Sequence, residues 1–529
     1  MSGRSRSESE LDGYCGLEYT SVSKWQDSFH VNQEFKSRVV VLARPPEIEK
    51  ARLSVGVALF PTNSFSVPQQ RVCPLLHRVL PCALEQYEEA VRAYDHALQI
   101  KPGSAYAHAQ LGRIFGYLGK FQEAVEELNR TFRIEPQLRN DAACQISFAS
   151  ALAQLSQIDK ALDAYREAAK LDPKSAEAQF GLGWALFNQE KCNEAEQPLR
   201  AAIKLKPDHV DAHHNLGLVL HELGQEIAVR EQFEKCVRLK PDFPEAQYCL
   251  GLAYYNEKRF DEAAAAYLEG IKLRPDYADA YYNLALAYEE LHRDDDALGA
   301  YRQAVSFSAD KPSALQNLGV LLSRTGKYED AIPVWKRAIE LKQDDPTFRV
   351  SLGWALGQTG QFREALHAYE SVLELTPDFA AAYYNIGLFH WHLHEYQESI
   401  ESEEKALAIE PESAEAYCVL GLSLAAQGES DRALASYEHA LKLRPDIPET
   451  WHNLGELYLE MGRCDDALTS FQKALELRPG VPDTHHSIGL THLKLGNAVA
   501  ALEQCELLRV LDSSKERDLR EQITQSKLS

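Results

Sequence analysis

The sequence predicts an all-α fold, an α-solenoid of stacked helix–turn–helix units. Three observations predict it. First, a 34-residue pattern begins at 105, 142, 176, 210, 244, 278, 312, 346, 380, 414, 448 and 482, with one longer spacing where 139–141 add three residues. Second, position 8 is Gly in ten of the twelve units, position 20 is Ala in ten and position 32 is Pro in nine. Third, the unit 448–481 sets the large Trp451, Leu454, Tyr458 and Phe471 among the small Gly455, Ala467 and Ala474. The small residues let two helices approach and the large ones fill the gaps between them. Gly462 ends the first helix and Pro479 the second. One hairpin cannot bury both its faces, so the units must stack.

Trp at position 4, Leu-Gly at 7 and 8, Tyr at 11, Ala at 20, Phe at 24, Ala at 27 and Pro at 32 resemble the tetratricopeptide repeat signature. The resemblance runs from 105 to the last unit at 482. It implies a right-handed superhelix in which the first helix of each hairpin lines a concave groove. The long array of the O-GlcNAc transferase and bacterial scaffold proteins of the family are similar.

In order along the chain, residues 1–81 form a non-repeat segment. Its start is polar and Ser-rich, which predicts disorder over roughly the first ten residues. The stretches 38–42 and 53–60 are rich in Val and Leu and predict short strands. The repeat frame carried backward puts a first helix at 71–84, but Pro74 and Pro81 interrupt it. Its second helix is predicted at 85–100, so 82–104 is a degenerate half-repeat with Ala90, Tyr94 and Ala97 at positions 20, 24 and 27. The missing partner is either replaced by the irregular segment or leaves an apolar face that a second copy would cover. Twelve repeats fill 105–512. Ala309, Gln343 and Ser513 replace the terminal proline. The junctions after the units at 278 and 312 are therefore expected to be more helical or more mobile. Residues 513–529 predict a capping helix with a Ser513–Glu516 capping box and an apolar strip of Leu519 and Ile523.

Net charge is −23. Residues 1–81 carry ten Lys/Arg against eight Asp/Glu, and the remainder 46 against 71, a net of −25. An acidic array offers no basic stripe for phosphates, which argues against nucleic acid and for neutral to basic protein partners. The ten cysteines lack C-x-x-C spacing and read as small buried hydrophobes in a reducing compartment. No signal-type leader or 18-residue apolar run is present, so a cytoplasmic location without membrane insertion is expected.

Position 6 is Asn at Asn215, Asn283, Asn317, Asn385 and Asn453. The resemblance implies that asparagines here form a ladder holding an extended peptide by its backbone. An amide offers two donors and an acceptor, which suits a peptide group. The ladder is broken by Gln110, Ser147, Gly181, Cys249, Ser351, Val419 and Ser487, and the alternative role is to cap or bridge neighbouring helices. At position 5, His214, Tyr248, Tyr282, Tyr384 and His452, with Phe180 and His486, would add contact area. Trp184 and Trp354 at position 9 either join that groove or pack between first helices. Glu222, Glu289, Glu290, Glu456 and Glu460 either favour a basic ligand or form a solvated face. The carboxylate clamp of the chaperone-binding subclass is not expected, since position 5 never carries Lys or Arg and position 9 is never Asn. His390, His392 and His394 look like a metal tract, but only two of them share a helix face, and a core and a turn histidine are the expectation. No catalytic or cofactor motif such as G-x-x-x-x-G-K-[ST], H-E-x-x-H or G-x-S-x-G occurs, so no cofactor is expected.

These residues point to a non-catalytic scaffold that takes an extended protein segment. Five Asn contacts at about 0.5–1.5 kcal/mol each must offset the ordering of a floppy ligand, so micromolar binding is the natural outcome. The alternatives are a substrate-targeting subunit for an enzyme supplied in trans, such as a glycosyltransferase, and self-association through the half-repeat.

Overall fold

A computed structural model describes residues 84–526. The expected strands at 38–42 and 53–60, the polar start and the interrupted helix at 71–84 lie outside the described residues. Those described form 26 α-helices and one 3-10 turn, with no strand. The fold is an all-α solenoid, divided into two compact units, 84–293 and 294–526.

Each repeat pairs a 13-residue first helix with a 14-residue second one, as in Pro448–Glu460 and Cys464–Leu477. Helices this short are marginal alone, so packing stabilises them. The helices approach closely at position 8. A Cβ on Gly251 would lie 2.5 Å from the Tyr267 ring, which only glycine avoids. The three extra residues of the longer repeat are taken up by the 3-10 turn Pro136–Asn140.

The turn inside every hairpin places position 15 in the left-handed region. Seven of these residues are glycines, among them Gly360 (φ +73°) and Gly462 (φ +76°). Five are not: Ser156, Glu190, Lys258, His292 and His394, with φ between 55° and 60°. The hairpin geometry imposes this conformation even where a side chain resists it.

At the junctions without proline the more helical alternative is not met. Asp294–Phe307 and Tyr328–Leu341 stop at position 30, as Phe260–Leu273 does ahead of its proline. Lys342 ends Tyr328–Leu341 at φ −134°, as Arg274 ends Phe260–Leu273 ahead of its proline, so these helices are no longer than the others.

The half-repeat helix is Leu84–Ile100. Ala90 and Tyr94 are buried against Ala107, Leu111 and Ile114. Its outer side carries Glu88, Glu89, Arg92 and Asp95, with Ile100 exposed (75%) at its end. An apolar face open to a second copy is therefore not what its described side chains present, because they close over the helix that follows. At the other end, Ser513–Ser526 buries Leu519 and Ile523, and Leu519 fills the space over Gly489. The cap differs from the expected capping box: Asp512 Oδ1 accepts from the backbone N–H of Ser514 (2.8 Å) and Lys515 (3.2 Å). A carboxylate one residue earlier reaches both free amides, which leaves Ser513 inside the helix.

Within each unit, successive first helices contact one another in most repeats, while successive second helices stay farther apart among the described residues. The first helices thus form the closer-packed side of each unit.

Candidate functional site

The first helices are held in place by a bond that recurs between repeats. A donor at position 4 reaches the backbone carbonyl six residues earlier, in the preceding repeat. His108 Nε2 lies 3.0 Å from Pro102 O and His213 Nε2 3.1 Å from Pro207 O. Trp451 Nε1 donates to Pro445 O at 2.8 Å and Gln145 Nε2 to Arg139 O at 2.7 Å. Position 2 is also engaged: Glu245, Glu415 and Glu449 pair with Arg274, Arg444 and Arg478 at the end of the same repeat. These acids anchor the hairpin. The position-4 set was not legible as structural, because its donors share only an N–H and not a residue type.

Position 5 points toward the junction with the next repeat. The rings of Phe180 and His209 lie 4.7 Å apart, His214 and Phe243 5.2 Å, and Tyr248 and Tyr277 5.1 Å. His214 also meets Phe233 at 5.7 Å, and His452 meets Phe471 at 5.5 Å. His214 is 7% exposed, and burial pulls its imidazole down to about 4, so it stays neutral. Its surface goes to packing, not to solvent, because rings of both its own second helix and the junction close over it. Tyr248, Tyr282, Tyr384 and His452 are partly exposed.

Position 6 bridges back. Asn283 Nδ2 donates to Tyr248 Oη of the preceding repeat (3.1 Å) and to Asp279 O of its own helix (2.9 Å). Asn453 Nδ2 lies 3.9 Å from Cys418 Sγ, and Cys249 Sγ lies 4.0 Å from His214 Nε2, in the same relation between repeats. Asn317 Nδ2 donates to Tyr301 Oη at 3.2 Å. Asn215 and Asn385 donate to Asp211 O (2.8 Å) and Ala381 O (2.6 Å). The amide N–H is thus committed within the protein in all five. Asn215, Asn283, Asn317 and Asn385 keep partial exposure, but Asn385 Oδ1 is enclosed without a partner among the described residues, and Asn453 is 6% exposed. Within each unit the asparagines sit in alternate repeats, with Cys249, Ser351 and Val419 between them.

Trp184 and Trp354 are partly exposed, and Trp184 packs on the buried core that runs from Ala149 to Ala266. Glu222, Glu290 and Glu460 are exposed, while Glu289 and Glu456 are half-buried. The histidine tract disperses. His390 Nδ1 meets Glu395 Oε2 at 2.8 Å and His394 Nδ1 meets Tyr396 Oη at 2.9 Å. His392 stacks on Phe362 at 4.7 Å, and burial lowers its imidazole to about 4. No group of three metal-ligating side chains forms among the described residues. No described helix is long and apolar enough to cross a membrane.

Models of the tetratricopeptide repeat match residues 146–208, 183–226, 350–414, 404–448, 418–482 and 452–515. Further models of the same repeat match 210–243, 254–291, 278–311 and 314–347. No curated protein matches the chain. Among solved structures, the APC/C hetero-tetramer Cut9–Hcn1 is 15% identical over 83% of this chain and 93% of that one, with a TM-score of 0.39. YrrB, described as a TPR protein with an unusual peptide-binding site, is 26% identical over 36% of this chain and 98% of that one, with a TM-score of 0.33. Yeast Tom70 is 14% identical over 80% of this chain and 96% of that one, with a TM-score of 0.35. The models fall on hairpin after hairpin of the observed fold, from the unit at 142 to the unit at 482, and the chain belongs to the tetratricopeptide repeat family.

Proposed function

We propose that this chain is a non-catalytic scaffold whose first helices take an extended protein segment by its backbone. Repeats of this family serve protein–protein interaction in general; the mode and the residues are the proposal. The observation that carries it is the pair Asn215 and Asn283, both in the unit 84–293. Each is partly exposed on a first helix, with its N–H anchored internally. An amide held through Nδ2 keeps its Oδ1 in a fixed direction, ready to accept from a peptide N–H with little further ordering. Trp184 and Tyr282 supply partly exposed apolar surface in the same unit. Exposed Glu222 and Glu290 of that unit favour a neutral to basic segment.

The test uses peptides selected by phage display on the full chain. Changing Asn215 and Asn283 together to Ala removes two contacts of about 0.5–1.5 kcal/mol each, which weakens the selected peptides by roughly 5- to 150-fold. Binding is read by calorimetry and folding by the melting curve. Unchanged affinity with an unchanged melting curve overturns the proposal. No observation among the described residues favours self-association through Leu84–Ile100, since Tyr94 faces inward.

A further inference from the structure

Position 24 is where a large side chain of the second helix lies over the position-8 glycine of the first. Tyr369 covers Gly353 and Tyr437 covers Gly421, each tyrosine 1% exposed. In the repeat between them the covering residue is Glu403, 0% exposed, with its carboxyl against Gly387. Neither of its oxygens has a hydrogen-bond partner among the described residues. The hydroxyls nearest in sequence are engaged elsewhere: Ser399 Oγ with Ser423 Oγ at 2.7 Å, and Ser402 Oγ with Glu398 O at 2.8 Å. A buried carboxyl without a partner is among the least favourable groups a core can hold, more so if it is charged.

We propose that Glu403 makes the hairpin Ala380–Ile409 a built-in release point, closed while the carboxyl is protonated and opening ahead of its neighbours once the proton is lost. The groups around it support this. From Ala380–His392 it meets Gly387, which has no side chain to offer. From Ala414–Ala426 the titratable group that feels it is the Cys418 thiol, itself pushed up to about 11 by burial. Three charged residues of its own hairpin are turned to other partners. Glu395 holds His390 and Arg363, Glu404 pairs with Arg432 at 2.9 Å, and Lys405 lies over the Tyr383 ring. No ion pair to Glu403 forms among the described residues.

Burial alone pushes the Glu403 carboxyl well above the usual carboxylate range. The closed hairpin therefore keeps a proton that the open chain gives up above about pH 4.3. Stability from this source is full in acid and falls as pH rises through the raised value, where the open state binds fewer protons. Each unit by which closed and open values differ multiplies the opening constant about tenfold once the pH is above both. The release point is independent of the peptide mode proposed above.

Hydrogen exchange of the full chain tests it, with amides of Pro346–Leu375 as the internal reference. The opening of 380–409 relative to 346–375 is expected to rise at least about tenfold between about pH 5 and about pH 8. Glu403→Gln keeps the shape without the titration and is expected to hold that ratio constant. Glu403→Leu supplies the side chain found at this position in Leu128 and Leu199, does the same, and decides alone if the Gln variant does not fold. A flat ratio in the unaltered chain, or the same rise in either folded variant, overturns the proposal.

Discussion

The hairpins Pro346–Leu375 and Ala380–Ile409 are neighbours in one unit and share a register, yet their interiors differ. The first sets Gly353, Ala365 and Tyr369 at positions 8, 20 and 24; the second sets Gly387, Ser399 and Glu403 there. All six keep the same places. Tyr369 and Glu403 are both enclosed, and Ala365 and Ser399 are both 0% exposed. The backbone of a repeat array is thus imposed by its neighbours on either side, and one unit can carry a polar interior that an isolated hairpin of this length would not survive. Stability in such an array need not be spread evenly along it.

The largest expected effect comes from moving the carboxyl one repeat back. Tyr369→Glu removes a buried ring and leaves an unpartnered acid over Gly353, so we expect a loss of about 3–5 kcal/mol at neutral pH. Urea unfolding measures it. A loss below about 1 kcal/mol would show that any position 24 tolerates an acid and would dissolve the contrast between the hairpins.

The two glycines sharpen the comparison further. A Cβ at Gly353 would lie 2.6 Å from the Tyr369 ring, which has nowhere to move, so Gly353→Ala is expected to cost about 1–3 kcal/mol. At Gly387 the obstruction is the carboxyl end of Glu403, a side chain with more freedom to turn. Alanine there also regains up to about 1 kcal/mol of helix propensity, so Gly387→Ala is expected near neutral. Melting temperatures of the two variants compare them directly, and equal losses would mean that Glu403 is held as rigidly as the ring.

Much of this was legible in the sequence, and the rest was hidden for physical reasons. The hairpin boundaries could be read because close helix approach demands small residues at fixed spacing, and Gly251 under Tyr267 is that demand made visible. Position 6 was legible only as chemistry. Asn283 could serve a ligand or a neighbour, and its direction depends on Tyr248, which stands 35 residues away in the chain. His214 was misjudged as accessible because residue type says nothing about Phe233 and Phe243 closing over it. Glu403 reads as solvent-facing because an acid on a helix usually faces water, and only the register of its repeat puts it inside.

The turns of the same two hairpins give the smallest effect. Position 15 is Gly360 in one and His394 in the other, at φ +73° and +60°. A left-handed conformation disfavours any residue with a Cβ by roughly 1 kcal/mol. His394→Gly removes that strain but also the 2.9 Å contact with Tyr396 Oη, an exposed hydrogen bond of small net worth. Glycine adds unfolded-state freedom as well, which takes back part of the gain. The balance is a stabilisation of about 0.5 kcal/mol, while Gly360→Ala in the other hairpin is expected to lose about 1 kcal/mol. Because the two changes act on turns of one geometry, opposite signs in the same melting experiment would locate the difference in the residue; equal signs would locate it in the hairpin around it.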